Sequence, residues 1–169
     1  MHCAPHRHPT RDHLDWPFFD ARHREFIAQL DVFAQGNTIA SIDHHAVDAT
    51  CRKLALALGE AGLLKACVAD PDSDGSSIDS RSACLARETL AWHDGLADFA
   101  FAMQGLGSGP IALAGLPSLR RDILPKVRSG EWLAAFALSE KNAGSDVAAM
   151  QCAARRDGSQ YILDVEKTW

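Results

Sequence analysis

No stretch of this sequence approaches the roughly 18 unbroken apolar residues that a membrane-spanning helix needs, and mean hydropathy is −0.13. Neither sign of charge dominates. Lys+Arg number 17 and Asp+Glu 22, a net charge of −5 with a pI near 5.9. A weakly acidic surface argues against a nucleic-acid groove or an anionic membrane face as the main partner. The five cysteines, Cys3, Cys51, Cys67, Cys84 and Cys152, are odd in number and widely spaced, with no CxxC. That excludes a disulfide scaffold and predicts reduced thiols in a cytosolic protein, mostly as small core residues. The N-terminus has no apolar segment of the secretory kind, so a cytoplasmic location is expected. There is no internal repeat, and collagen-like and disordered compositions are excluded.

What is present is ordinary globular material. The chain has 169 residues, 47% apolar and 23% charged. That is enough for one domain, or one and a piece, with a sizeable core. Residues 1–15 are expected to be a disordered N-terminus. His2, His6, His8 and His13 are of a metal-binding type, but no helix fixes their geometry, and no metal site is assigned.

Residues 16–131 predict a helical domain. In DARHREFIAQLDVFA, Asp20 suits an N-cap, and Phe26, Ile27, Leu30 and Phe33 share a helical face, ended by Gly36-Asn37. Trp16, Phe18 and Phe19 are expected to fold back over that helix as a lid. A second helix, from about Asp43 to Ala61, carries Val47, Cys51, Leu54 and Leu58, with Gly62 placed as its C′ residue. ADPDSDGSSIDS reads as a surface loop; it lacks the spacing and terminal Glu of a calcium loop. A third helix is predicted from Asp79 or Ser80 to about Gln104, with Leu85, Trp92, Leu96, Phe99 and Met103 as its apolar stripe. Gly105, Gly107, Gly109 and Pro110 are expected to break it. GLGSG follows a helix rather than a strand, so a Rossmann reading fails. A fourth helix is predicted around Ser118–Leu124, interrupted by Pro125.

Residues 132–169 change texture. WLAAFALS (Trp132–Ser139) reads as a buried strand, and Cys152–Val165 as a hairpin turning at Asp157-Gly158. EKTW carries no cap, polar tail or closing strand, so pattern predicts that the chain stops inside its second domain, leaving open sheet edges.

The stretch most suggestive of chemistry is Ala137-Leu138-Ser139-Glu140-Lys141-Asn142-Ala143-Gly144-Ser145-Asp146. A tight Ala-Gly-Ser turn after a strand can point consecutive backbone N–H groups at an anion, with Ser145 adding a hydroxyl. On spacing alone, a β-turn with capping residues accounts for it equally well.

ALSEKNAGSD resembles the flavin-binding motif of the acyl-CoA dehydrogenase family, A-L-[ST]-E-P-x-A-G-S-D. DGSQYILDVEKTW resembles the family's hairpin, D-G-x-Y-x-L-x-G-x-K-x-W-I-[ST]-N. LARETLAWHDGLADFAFAMQGLGSGPIALAG and SLRRDILPKVRSGEWLAAFALSE resemble its long helix and its link into the β domain. The resemblance runs from about Trp16 to Trp169. It implies a mainly α then β fold: an acyl-CoA dehydrogenase-like N-terminal helical domain, then the first strands of an incomplete β-barrel. It further implies FAD, acyl-CoA as substrate, α-proton removal by a carboxylate and hydride transfer from the β-carbon to flavin N5. An electron-transfer flavoprotein as acceptor and a homotetramer are implied as well.

By the same resemblance, Phe136 and Leu138 lie along the flavin, Ser139 meets it near N5, Gly144 and Ser145 hold the FAD pyrophosphate, and Trp169 packs on the ring. Ser145 also nears the CoA thioester. Phe99, Ala102, Met103 and Leu106 are candidates for the acyl-tail pocket, though core packing explains each. Glu140 and Asp146 are expected to order the loop through hydrogen bonds. No position matches the family's catalytic base, which belongs to its C-terminal helical domain. Lys141 departs from the usual proline and Val165 from the usual glycine. These 169 residues alone are therefore expected to bind FAD weakly or not at all and to lack turnover. The alternatives are a non-catalytic interaction module, half of a split enzyme completed by a partner chain, and a frameshifted or decayed gene.

Overall fold

The computed structural model describes residues 10–73 and 78–168. His2, His6, His8, Cys3, Trp169 and the centre of the 69–80 loop lie outside the described residues. The chain divides into two compact units, Met1–Ala135 and Phe136–Trp169.

The first unit is helical: α1 (Ala21–Ala34), the short α2 (Asn37–Ala40), α3 (Val47–Glu60), α4 (Ser80–His93), α5 (Gly95–Ala114) and α6 (Pro117–Arg128). Helix α1 begins where the sequence predicts. The Asp20 side chain accepts from Arg22 N at 3.1 Å, and the fully buried His23 accepts the Asp20 amide on Nδ1 at 3.0 Å. With Nδ1 accepting, Nε2 carries the proton and donates to Asp79 Oδ2 at 2.7 Å, joining the starts of α1 and α4. Burial works against the Asp79 charge. Hydrogen bonds from Arg81, His23 and Ser82 outweigh it and hold the carboxyl well below the usual range.

The core of this unit comprises Leu30 of α1, Leu54 and Leu58 of α3, Leu63, Leu64 and Val68 after it, Leu90 of α4, Phe101 of α5 and Leu124 of α6. Each such side chain contributes about 1.5–3 kcal/mol by leaving water. A smaller cluster joins Leu14, Ile27 and Leu85, with Phe19 against it. The expected lid is therefore only Phe19; Trp16 and Phe18 are exposed. Of the described cysteines, only Cys67 is buried, and burial pushes its thiol up to about 12. Cys84 and Cys152 are exposed, so thiols are not mainly core residues here.

The predicted third helix is two helices. Asp94 is extended, φ −161°, and its side chain accepts from Leu96 N at 2.8 Å to cap α5. The break resets helical phase, so one apolar stripe cannot cross it. Trp92 and Phe99 are 48% and 57% exposed, while Ala97, Ala100, Phe101 and Gln104 face inward. The glycines and Pro110 do not end α5, which continues to Ala114. A Cβ on Gly105 would sit 2.9 Å from Cys67, and one on Gly107 2.7 Å from the Ala135 backbone. These glycines admit a close neighbour, and tertiary contact offsets their poor helix propensity. Helix α6 also runs through its proline, from Pro117 to Arg128, and begins one residue earlier than predicted. Gly62 after α3 adopts φ +72°, the expected left-handed C′ conformation, and Gly130 follows α6 at φ +77°.

Among the described residues, the second unit contains one antiparallel pair, β1 (Ala154–Asp157) and β2 (Gln160–Leu163), registered Ala154 to Leu163 and Asp157 to Gln160 across Gly158-Ser159. The hairpin forms within the predicted segment, but its turn is Gly158-Ser159, one residue beyond the predicted Asp157-Gly158. The strand predicted for Trp132–Ser139 does not form as a laddered strand among the described residues. It runs without regular pairing until Glu140 bridges Ala143. Sequence supplies β-propensity, but a strand exists only where a partner backbone lies beside it.

Candidate functional site

The ALSEKNAGSD segment is neither helical nor buried away. Glu140 N donates to Ala143 O at 2.9 Å, and Ala143 N to Glu140 O at 3.2 Å. This closes a tight turn with Lys141 and Asn142 at its two central positions.

Glu140 organises the segments around the turn. Its carboxylate, 11% exposed, accepts from Gln151 N at 2.8 Å, Cys152 N at 3.1 Å and Lys167 Nζ at 2.8 Å. Lys167 Nζ also donates to Leu138 O at 3.1 Å, and Thr168 N donates to Ser139 O at 2.9 Å. Chain segments around 139, 151 and 167 are thereby joined through one side chain. The expected ordering role of Glu140 agrees with these contacts. The Asp146 carboxylate makes no hydrogen bond among the described residues; only its carbonyl is used, by Ala149 N at 3.2 Å.

The bond from Lys167, with those of the Gln151 and Cys152 amides, holds the Glu140 carboxyl below its ordinary range. A depressed carboxyl stabilises the fold above its unfolded value and ceases to do so as pH falls through the folded one. The Gln151 and Cys152 amide resonances should therefore titrate together, with a midpoint below the ordinary glutamate value of about 4.3. Glu140→Gln should abolish that titration. A midpoint at or above the ordinary value would contradict the arrangement.

An open groove of about 570 Å³ lies beside the turn, lined by Ser139, Glu140, Lys141, Asn142, Ala143, Gly144, Glu166 and Thr168. Of the sequence candidates, Ser139 and Gly144 line it; Phe136, Leu138 and Ser145 do not. The amides of Phe136, Leu138, Gly144 and Ser145 donate no hydrogen bond among the described residues. Gly144 is exposed, and a Cβ there would meet nothing within 4 Å. The unpaired amides and the Ser139 and Ser145 hydroxyls are donors of the type that phosphoryl oxygens and a flavin ring edge accept from.

The first unit carries a separate apolar groove of about 220 Å³, lined by Cys51, Ala55, Phe99, Ala100, Met103, Gln104, Leu133, Ala134 and Ala135. Phe99 and Met103 are among the predicted residues; Ala102 and Leu106 lie outside it. The sequence reading missed Cys51 and Ala55 from α3 and the segment 133–135. Burial and the neighbouring Asp48 charge both raise the Cys51 thiol's pKa. Gln104, 1% exposed, fixes one wall. Its Nε2 donates to Val127 O at 3.0 Å and Trp132 O at 2.9 Å, and its Oε1 accepts from Ala134 N at 2.7 Å. Its spacing within the helix was the only signal in sequence.

A helical unit followed by a turn-and-hairpin unit that bears this motif defines the class. Residues 20–131 match the family model described as acyl-CoA dehydrogenase, N-terminal domain, and the chain belongs to the acyl-CoA dehydrogenase family. It is 32% identical over 162 residues to the "probable acyl-CoA dehydrogenase fadE25" of Mycobacterium leprae, covering 90% of this chain and 41% of that protein. A "probable acyl-CoA dehydrogenase" of Bacillus subtilis is 34% identical over 133 residues, 78% of this chain and 22% of the relative. The mitochondrial isovaleryl-CoA dehydrogenase of Oryza sativa is 30% identical over 159 residues, 89% and 38% respectively. The chain thus spans about two fifths or less of these relatives. Among the described residues, no helix is long and apolar enough to cross a membrane.

Proposed function

We propose that this chain supplies the FAD-facing turn and part of the acyl pocket of an enzyme that dehydrogenates acyl-CoA thioesters at the α and β carbons. The observation that carries this reading is the unpaired Gly144 amide in the groove with Ser139 and Thr168, directly after a turn whose Glu140 is held by Lys167. When bound, FAD accepts a hydride equivalent. The Gly144 and Ser145 amides and the Ser145 hydroxyl hold its phosphoryl oxygens. The Ser139 hydroxyl and the amides of Phe136 and Leu138 meet the ring edge, where fixed donors stabilise developing negative charge. Trp169 flanks the ring, and Ser145 also lies towards the CoA thioester. Phe99 and Met103 line the acyl tail's path and exclude water. Ala102 and Leu106 remain weaker candidates for the same path, since they lie outside the groove. No residue here is assigned as the base; a carboxylate from elsewhere in the complete enzyme takes the α-proton. An electron-transfer flavoprotein as acceptor, a tetrameric assembly and a cytoplasmic location belong to the same proposal.

The test is a titration of the isotope-labelled 169-residue chain with FAD. Weak, saturable shifts confined to amides within 136–146 are expected, with no turnover of any acyl-CoA in the presence of an artificial electron acceptor. Absence of shifts in that segment would sink the flavin assignment. Stoichiometric FAD with turnover would instead show that the chain contains its own base.

A further inference from the structure

The groove beside the turn is lined by two charged groups besides Glu140, Lys141 and Glu166; Lys167 reaches Glu140 but does not line it. Lys167 is spent, since its ammonium is shared between the Glu140 carboxylate and the Leu138 carbonyl at 2.8 and 3.1 Å. Lys141 is different. It is exposed, stands at the first central position of the turn, lines the groove with Ser139 and Gly144, and has no ionic partner among the described residues. Glu166 lines the same groove and likewise has no ionic partner there. An anion settling against the unpartnered Gly144 amide thus meets one uncompensated acid and one uncompensated base. Where the family motif has an uncharged proline, this chain places a cation.

We propose that Lys141 is an additional phosphoryl-binding residue of this groove: its ammonium offsets Glu166 and attracts a phosphate oxyanion to the Gly144 amide. This rests on the flavin reading, because the diphosphate of FAD is the anion it would meet. It also makes a separate statement, that binding here depends on the charge of one side chain the motif does not require. The turn closes through backbone bonds between Glu140 and Ala143, so changing the Lys141 side chain leaves its geometry in place.

The experiment follows the Gly144 amide in the 169-residue chain during titration with inorganic pyrophosphate and, separately, with FAD. Saturable pyrophosphate shifts at Gly144 are expected. Lys141→Gln should weaken that affinity roughly threefold to fivefold, the range of an exposed charge pair. Lys141→Arg should restore it, and Glu166→Gln should strengthen it. Lys53→Gln, on the exposed side of α3, should change nothing. The Lys141 effect should fade in ~1 M salt, where screening falls to about 3 Å. Equal pyrophosphate affinity in Lys141→Gln and the parent chain, or no Gly144 shift at all, overturns the assignment. FAD shifts of unchanged affinity in Lys141→Gln also overturn it while leaving the flavin reading intact. Lys141-dependent pyrophosphate binding without any FAD shift in 136–146 upholds the anion site and removes the flavin reading instead.

Discussion

Replacing Gln104 with leucine is expected to lower the melting temperature by about 10 °C. The side chain is buried and fully engaged: two carbonyls, Val127 and Trp132, accept from its amide, and the Ala134 N–H donates to its oxygen. Leucine leaves the Trp132 carbonyl and the Ala134 N–H without a partner, while the Val127 carbonyl keeps only the Gly130 N–H at 3.1 Å. Each such group costs about 1–3 kcal/mol when it stays buried. Relaxation and water entry recover part of this, leaving about 3 kcal/mol. At about 2–4 °C per kcal/mol for a chain of this size, that gives the stated shift. The site also changes, because Ala134 belongs to the wall of the apolar groove. Hydrogen exchange at the Ala134 amide should accelerate more than exchange at Leu58 or Leu90 in the core. A shift under about 3 °C, with Ala134 still protected, would mean that the 132–134 segment holds itself in place without Gln104.

The second large effect concerns Gly130. It has φ +77°, and a Cβ there would run into the backbone of Ala55 and lie 2.8 Å from Leu56 Cα. Both obstacles are main chain of α3 and cannot rotate aside. Gly130→Ala should therefore combine left-handed strain of about 1–2 kcal/mol with overpacking of about 1–3 kcal/mol. Gly62 provides the comparison. Its φ is +72°, but the nearest atoms to an added Cβ are the far end of the Lys65 side chain, 3.9 Å away. Gly62→Ala carries the strain alone. Chemical denaturation of the two variants should show Gly130→Ala as the more destabilised by at least ~1 kcal/mol. Equal losses would mean that α3 yields to the new methyl group.

The two glycines also show how far local reading reaches. Gly62 was placed from sequence because a helix end, a glycine and a following apolar turn lie together in the chain. Gly130 sits in an equally local turn, yet its main constraint comes from a backbone more than seventy residues away. The same division runs through α4 and α5. The start of α4 was legible, since the pattern placed it at Asp79 or Ser80. Asp94 looked like an ordinary polar position inside a long helical pattern, and the phase reset it causes moved Trp92 and Phe99 to the surface. Gly105, Gly107 and Pro110 looked like punctuation. Contact with Cys67 and Ala135 made the two glycines permissive packing positions instead.

The candidate site divides in a similar way. Ser139 and Gly144, named from the motif resemblance, line the groove beside a turn short enough to be read locally. Glu140 could be judged structural, but its three donors come from Gln151, Cys152 and Lys167, which no spacing rule connects. Cys51 and Ala55 escaped notice because they reach the apolar groove from a different helix.

The sequence by itself determined the family, through its motifs, and the helix-then-hairpin order, because caps, helical periodicity and turn residues are short-range patterns. Only the tertiary structure decided where the long helix breaks, which glycines pack, and which side chains line the grooves. Those outcomes depend on distant backbone groups competing for the same space and the same hydrogen bonds, a competition that has no one-dimensional signature.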